Sequence, residues 1–439
     1  MTDLDRLTYP QAVAALTERG RFGISMGLER VERLMVEAGH PERGLRGALV
    51  GGTNGKGSVV AMAQSVLAAA GLRTGTMPKP HLVGYRERIA VDGVPIPGAD
   101  FAAAVERVLP AIDRVAGEIG PPTEFEALTT AAITELARRQ VDLAIVEVGM
   151  GGRLDATNVL DLGVAAITNV QLDHQVHLGR TLAAIGREKA AIIKPGNLAV
   201  TGATGRGLRP ILDRSADLGV PLRRAGDGQP YRAHLVESGW DGIVVDAGTP
   251  GRRLSGLRIG LLGAHQAGNA AVALALLDAL DERFGLALPE AALRHGLAEV
   301  RWPGRLELLD GSALGLGRVL LDGAHNPAGA AALARALADL GLRRPTIVFG
   351  AMRGKDVRGV LAALAPLEPR FVFTRVDDRA ALPEAELAAA WAAIGGDAAI
   401  APDPSAALAM ADGDPVVVAG SLYLVGAVRG MISGMDEEA

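Results

Sequence analysis

The run Gly51-Gly52-Thr53-Asn54-Gly55-Lys56-Gly57-Ser58 gathers the groups that hold a phosphate. Glycines let backbone N–H groups turn toward an anion, and a helix starting there adds partial positive charge. Lys56 offers a mobile cation to β- and γ-phosphates, and Ser58 a hydroxyl for Mg²⁺. The spacing departs from the common G-x-x-x-x-G-K-[ST] loop. The first glycine would fall on Val50, and Gly57 separates Lys56 from Ser58. The alternative is a glycine-rich turn with an incidental lysine, in a chain of 57 glycines. The flanks favour the nucleotide loop: Ala48-Leu49-Val50 reads as a strand, and Val59 to Ala70 as a helix stopped by Gly71.

Other polar residues follow apolar runs in the same way, and ligands of open α/β sheets sit at the carboxyl ends of strands. Glu147 ends Leu143-Ala144-Ile145-Val146. It is either a buried carboxylate that needs a partner or metal, or a strand-end acid in solvent. The loop from Gly149 to Asn158, with its three glycines and several hydrogen-bonding side chains, reads as a binding loop. His174, after Asp173, is a metal ligand, a general base or a packed histidine; with Glu147 and Ser58 nearby it suggests a Mg²⁺ site, although Mg²⁺ prefers oxygen ligands. Lys189, in Arg187-Glu188-Lys189-Ala190, reads on spacing alone as a solvated lysine on a helix face. Asp322-Gly323-Ala324-His325-Asn326-Pro327 offers acid, imidazole and amide at another strand end, suited to a ribose or phosphate, or else a polar turn capped by Asn326. Arg305 is either an anion contact or a surface arginine.

These residues need a scaffold of alternating strands and helices. Short β-branched runs (Ala48–Val50, Leu143–Val148, Val164–Val170, Leu198–Thr201) alternate with helical segments (Ala102–Ala116, Phe125–Arg139, Thr181–Ile193), the pattern of a parallel α/β sheet. The stretch Arg232 to Leu257 instead reads as small antiparallel strands, and Gly268 to Leu280 as a helix. After Trp302-Pro303-Gly304 a second alternation begins, with strands at Arg318–Leu321, Thr346–Phe349, Phe371–Thr374 and Val416–Ala419, and helices of the Ala328–Leu340 kind. The expected division is 1–298 and 299–439.

Composition narrows the partners. At 439 residues the chain is expected to hold two or three domains. A net charge of −5 gives no broad basic surface for nucleic acid or anionic membrane. No apolar run is long enough to span a bilayer, and Met1-Thr2-Asp3-Leu4-Asp5 lacks the apolar core of a secretory signal. Zero cysteines exclude disulfides, thiolate metal sites and cysteine nucleophiles. The expectation is a cytoplasmic monomer acting on small molecules.

In this order, the pieces resemble the folylpolyglutamate synthase/dihydrofolate synthase family of Mur-type ATP-dependent amide ligases. The likeness runs through nearly the whole chain. It is carried by Met26-Gly27-Leu28-Glu29-Arg30-Val31, Gly52 to Ser58, His81-Leu82-Val83 with Glu87-Arg88-Ile89, Glu147 to Asn158, Leu172-Asp173-His174 and Arg187 to Ala190. It continues in Leu262-Gly263-Ala264-His265-Gln266 with Asn269, Trp302-Pro303-Gly304-Arg305, Asp322 to Pro327, and Gly420-Ser421-Leu422-Tyr423. The irregular Lys56-Gly57-Ser58 is the family's own form.

The resemblance implies an N-terminal P-loop ATPase-like domain with a mainly parallel sheet and a smaller, Rossmann-like C-terminal α/β domain that closes over ATP and glutamate. It implies that Gly52, Thr53, Asn54, Gly55, Lys56, Gly57 and Ser58 hold ATP, helped by Asn269, Arg305 and Asp322. Ser58, Glu147 and His174 would be magnesium ligands. Lys189 matches a lysine that the family carbamylates. His325 and Ser421 would line the C-terminal side of the cleft, with Lys56, Lys189 and His325 as the catalytic set. Thr123, Phe125, Asp155 and Ala156 match positions that meet the pterin.

The implied reaction ligates L-glutamate to dihydropteroate and to folates through an acyl phosphate. Folylpolyglutamate synthesis alone is the narrower alternative, and a nucleotide-binding relative without activity a third. One departure bears on the metal: Lys79-Pro80-His81-Leu82 stands where the family has Ser-Pro-His-Leu, whose serine helps ligate magnesium, and an ammonium cannot ligate a cation. Either Lys79 points at a phosphate or the first metal site is altered. Gly354, where an acid is usual, is a second departure.

Overall fold

The computed structural model describes residues 6–19, 27–394 and 396–434. The opening pentapeptide and Met26 of the first motif lie outside the described residues. The described chain forms three sheets. The first has eight strands: β1 (Gly47–Gly51), β2 (Thr74–Met77), β3 (Ala90–Val91), β4 (Val94–Pro95), β5 (Leu143–Glu147), β6 (Gly163–Ile167), β7 (Leu198–Thr201) and β8 (Leu222–Arg224), in the order β4-β3-β2-β5-β1-β6-β7-β8. All neighbours are parallel except the β2–β3 and β3–β4 pairs.

The strands read as unbroken apolar runs because both faces of the sheet are covered. Leu49, Ala144, Val146, Ala165 and Ile167 pack into one core, beneath the helices Gly98–Ile119 and Glu124–Arg138. Their chain neighbours Ala48, Val50, Ile145, Val164 and Ala166 point the other way, against the helices Lys56–Ala69 and His265–Phe284. Side chains alternate across a strand, so each run feeds two cores at once. The second sheet, β9 (Arg232–Gly239), β10 (Gly242–Gly248) and β11 (Arg253–Ile259), is antiparallel and closes the same second core with Ile243, Val245 and Leu257.

The third sheet contains β12 (Glu307–Asp310), β13 (Arg318–Asp322), β14 (Thr346–Phe349), β15 (Arg370–Phe373), β16 (Ala398–Ile400) and β17 (Val416–Ala419), ordered β12-β13-β17-β14-β15-β16. It too is parallel, apart from β12, and buried on both faces. The observed fold is thus a large mainly parallel α/β sheet followed by a smaller α/β unit.

Register explains why the polar residues meet. Val50 pairs with Glu147, Gly51 with Ile167, and Met77 with Val146. The carboxyl ends of β1, β2, β5 and β6 therefore lie level, and the segments leaving them share one edge. The strand expected to run to Val170 stops at Ile167. The Thr168 amide still reaches the Gly51 carbonyl at 2.9 Å, while the side chains of Thr168 and Asn169 turn to the Asn54 carbonyl. β2 went unread in the sequence because Thr74-Gly75-Thr76-Met77 has no apolar run, yet all four residues are buried.

Candidate active site

The turn after β1 is held in shape from outside. Thr168 Oγ1 and Asn169 Nδ2 donate to the Asn54 carbonyl at 2.6 and 2.9 Å, and the Asn54 amide donates to Asn169 Oδ1 at 3.0 Å. Two glycines are required by conformation and space together. Gly52 has φ +142° and a Cβ there would lie 1.9 Å from Thr168 Oγ1; Gly55 has φ +80° and its Cβ would lie 2.3 Å from Asn269 Oδ1. Gly57 is required by space alone, since a Cβ would meet Trp302 Nε1 at 2.6 Å. The residue that broke the common spacing is the point where Trp302 packs on the first turn of the helix Lys56–Ala69.

Lys56 folds back, donating to the carbonyls of Gly52 and Thr53 at 3.2 and 3.1 Å. Ser58 is buried, and its oxygen accepts from Gln266 Nε2 at 3.3 Å. Lys189 is not on a solvated face: it is buried, and its Nζ donates to the same Gly52 carbonyl at 2.8 Å. Burial first, and the Lys56 charge next, push it down to about 7. A lysine near neutrality has an amine free to react.

Glu147 is also buried rather than solvated, and its Oε2 has no hydrogen-bond partner among the described residues. Burial raises its pKa, opposed by Lys56, Arg305 and Lys79. His174 is partly exposed in a left-handed turn, 3.9 Å from Asp173. Burial lowers its pKa, against the pull of Asp173. Asp173 also lies 3.7 Å from Lys355 and accepts from Asn326 Nδ2 at 3.3 Å, so β6's loop touches the C-terminal unit.

From that unit, Asp322 accepts from the amides of Leu306 and Ala324 at 3.0 and 2.9 Å. Burial raises its pKa, and the charge of Arg305 opposes the rise. His325 donates Nδ1–H to the Gly323 carbonyl at 2.8 Å, which leaves Nε2 as an acceptor. Desolvation, then Lys355, pushes it down to about 4, so it is neutral at pH 7.

A cavity of about 470 Å³ has Gly52 to Ser58, Glu147, His174, Lys189, Asn269, Arg305, Asp322 and His325 on its walls. A divalent cation fits this chamber by donor chemistry. Glu147 offers an unpartnered oxygen and Ser58 a hydroxyl, while no three His, Asp or Glu side chains of the described residues form a self-contained cluster. Phosphate oxygens and waters would complete such a site.

None of the remaining expected residues lines this cavity. Phe125 and Asp155 meet at Gly149 on its edge and, with Thr123 and Ala156 next to them in the chain, make up an acid wall beside it. Ser421 lies in the C-terminal unit. Thr123 caps the helix Glu124–Arg138, accepting from the Glu126 amide at 3.2 Å and donating to its carboxylate at 3.0 Å. Asp155 accepts from the Met150 amide at 2.9 Å, the Thr157 amide at 3.0 Å and the Thr157 hydroxyl at 2.5 Å. Ala156 is buried beside it. Ser421 caps the final helix through the Tyr423 amide at 3.2 Å, and its neighbour Leu422, not Ser421, faces the cavity. Lys79 joins wall and chamber: its Nζ stands 3.7 Å over the Phe125 ring and 3.8 Å from Asp155. Burial pushes it down to about 8, against the charge of Asp155. Gly354 sits at φ +82° with open space around it.

Sequence reading gave no role to Thr168, Asn169 or Trp302. The first two carried a signal as the polar end of an apolar run; Trp302 carried one as part of the motif Trp302-Pro303-Gly304-Arg305, which says nothing of its packing on Gly57.

Two domain families match the chain: the Mur ligase middle domain over residues 50–277, and the Mur ligase glutamate ligase domain over 304–422. The chain is 34% identical over 387 residues to the dihydrofolate synthase/folylpolyglutamate synthase of Bacillus subtilis, covering 87% of each protein. Its fold is similar to a Mycobacterium tuberculosis folylpolyglutamate synthase complexed with ADP, with TM-score 0.87 and 33% identity, over 97% of this chain and 98% of that one. It is also similar to Escherichia coli FolC in complex with DHPP and ADP, with TM-score 0.83 and 29% identity over 96% and 98%.

Proposed function

Because the chain belongs to the folylpolyglutamate synthase/dihydrofolate synthase family of Mur ligases, we propose that it makes dihydrofolate from dihydropteroate and L-glutamate and then extends folates with further glutamates. It is an ATP-dependent amide ligase that uses a divalent metal. The observation that carries the reading is the convergence of Lys56, Lys189, Arg305 and the unpartnered Glu147 on one chamber beside a glycine loop.

A carboxylate oxygen of the acid substrate attacks the γ-phosphorus, its new P–O bond replacing the one to ADP. The glutamate amine then attacks the acyl carbon, the C–N bond forms, the C–O bond to phosphate breaks, and the amine loses a proton. Lys56 and Arg305 offset the phosphate charge, and the N–H groups of the loop orient it. Ser58, Glu147 and His174 would hold a metal, which neutralises phosphate charge when bound. His325, whose Nε2 is an acceptor, would take the amine proton. Asn269 and Asp322 line the nucleotide's side of the chamber. We further propose that residues 1–298 and 299–439 close on each other about the segment 300–306, shielding the acyl phosphate from water, and that the enzyme works as a cytoplasmic monomer.

Incubating the purified protein with Mg²⁺, ATP, L-glutamate and 7,8-dihydropteroate tests the reading. ADP release that requires both the acid and glutamate is expected. ADP release indifferent to the acid overturns it. The narrower reading, folylpolyglutamate synthesis alone, is favoured by the occupied oxygens of Thr123 and Asp155; it predicts turnover with tetrahydrofolate but not with dihydropteroate.

A further inference from the structure

Lys79 leaves the carboxyl end of β2, between Pro78 and Pro80, and its amide bonds Glu147. Its side chain is 7% exposed, and its Nζ has no hydrogen-bond partner among the described residues. An ammonium carries three N–H donors, and a buried one without acceptors is expensive. The neighbours do not supply them. Phe125 offers a ring face, and Asp155, 3.8 Å away, already accepts from three donors of its own loop. Lys79 also lies on the seam between two cavities. It lines the nucleotide chamber and a second space of about 410 Å³, together with Pro80, Arg305 and Leu422. Two buried carboxylates flank Lys79, Glu147 on the chamber's wall and Asp155 3.8 Å from the Nζ, and a substrate carboxylate brought to the seam adds to their negative charge. Like charges so placed repel strongly unless a cation lies among them.

We propose that Lys79 is the binding group for the reacting carboxylate of the acid substrate, its free N–H donors and charge holding that carboxylate at the seam between Glu147 and Asp155. The inference rests on the reading of the chain as an acid–amine ligase. It gives Lys79 neither of the roles its position first suggested: its ammonium is directed to the acid wall rather than to the phosphate loop, and it ligates no metal.

The test compares 7,8-dihydropteroate with its neutral carboxamide in equilibrium binding, with Mg²⁺ and a non-hydrolysable ATP analogue present. Wild type should bind the acid about tenfold or more tightly than the amide, the scale of one charge-assisted hydrogen bond. Lys79→Met should reduce that ratio to near one while leaving affinity for the ATP analogue unchanged. Lys79→Arg should retain most of it, and Lys79→Gln serves if the Met variant does not fold. An unchanged ratio, an equal loss for both ligands, or a loss confined to the ATP analogue overturns the inference. Wild-type turnover is measured alongside. If ADP release with glutamate is absent for both dihydropteroate and tetrahydrofolate, the ligase reading fails and takes the inference with it. If turnover is present and the ratio survives substitution, only the inference fails.

Discussion

The phosphate loop and the acid wall face each other across Lys79, yet they use their polar atoms differently. At the loop, Thr168 and Asn169 hold the backbone from behind; in front, Lys56 and Lys189 bond loop carbonyls without using all three of their donors, and Glu147 keeps an unpartnered oxygen. At the wall, the Thr123 hydroxyl and both oxygens of Asp155 are engaged within their own turns. The difference teaches that a motif residue can reach its position either to meet a ligand or to shape the turn that does. Counting the donors and acceptors it leaves unused separates the two.

The largest expected effect comes from the side with spare donors and charge. Lys56→Met removes a cation that phosphate charge meets only in the chamber. We expect kcat to fall about 10³-fold, the scale of a lost preorganised charge contact, with the melting temperature nearly unchanged because Lys56 bonds only loop carbonyls. Steady-state kinetics and a thermal melt check this. A variant within tenfold of wild type would erase the contrast between the two regions.

Lys189 sharpens the same contrast through pH. Its folded pKa is about 7, below the ordinary 10.5, so between those values the unfolded chain binds more protons than the folded one. Stability contributed by this group therefore rises with pH through that window, by at most about 1.4 kcal/mol per unit, and the gain is absent below about pH 7. Lys79, lowered to about 8, adds a slope of the same sign. Lys189→Met should remove only its own share, so the wild-type denaturation midpoint should rise relative to the variant's from pH 7 to 10. Parallel curves would mean that Lys189 is solvated, as its helical spacing first suggested.

The architecture was legible where burial on both faces forces apolar runs: β1, β5 and β7 stand at their expected places, and the helices Glu124–Arg138 and Pro327–Asp339 within a residue or so of theirs. β2 was not, because packing buries threonine and glycine there without leaving an apolar pattern. At the site, residue types marked the strand ends, but their state depended on distant neighbours. Whether Glu147 is solvated or Lys189 exposed is decided by helices far away in sequence. The Gly57 insertion shows this most clearly. Its reason is Trp302, which no local reading of the loop contains.

Thr123 gives the smallest expected effect and the sharpest test of the contrast. It is the cap of a capping box in which the Glu126 carboxylate accepts from the Thr123 amide at 2.7 Å and from its hydroxyl at 3.0 Å. The same carboxylate is gripped by Arg30 at 2.9 and 3.0 Å. Thr123→Ala loses both of the hydroxyl's bonds, from the Glu126 amide and to its carboxylate, but leaves the amide–carboxylate half of the box and the Arg30 pair. The expected loss is about 1 kcal/mol of stability, seen as a lower denaturation midpoint, with KM for the acid substrate within about twofold of wild type. Thr123→Ser should restore the midpoint, because a serine hydroxyl caps as well. The opposite result, a raised KM at an unchanged midpoint, would put Thr123 with the ligand-facing residues. The wall would then share the loop's character, and the occupied hydrogen bonds at Asp155 would have to open on binding as well.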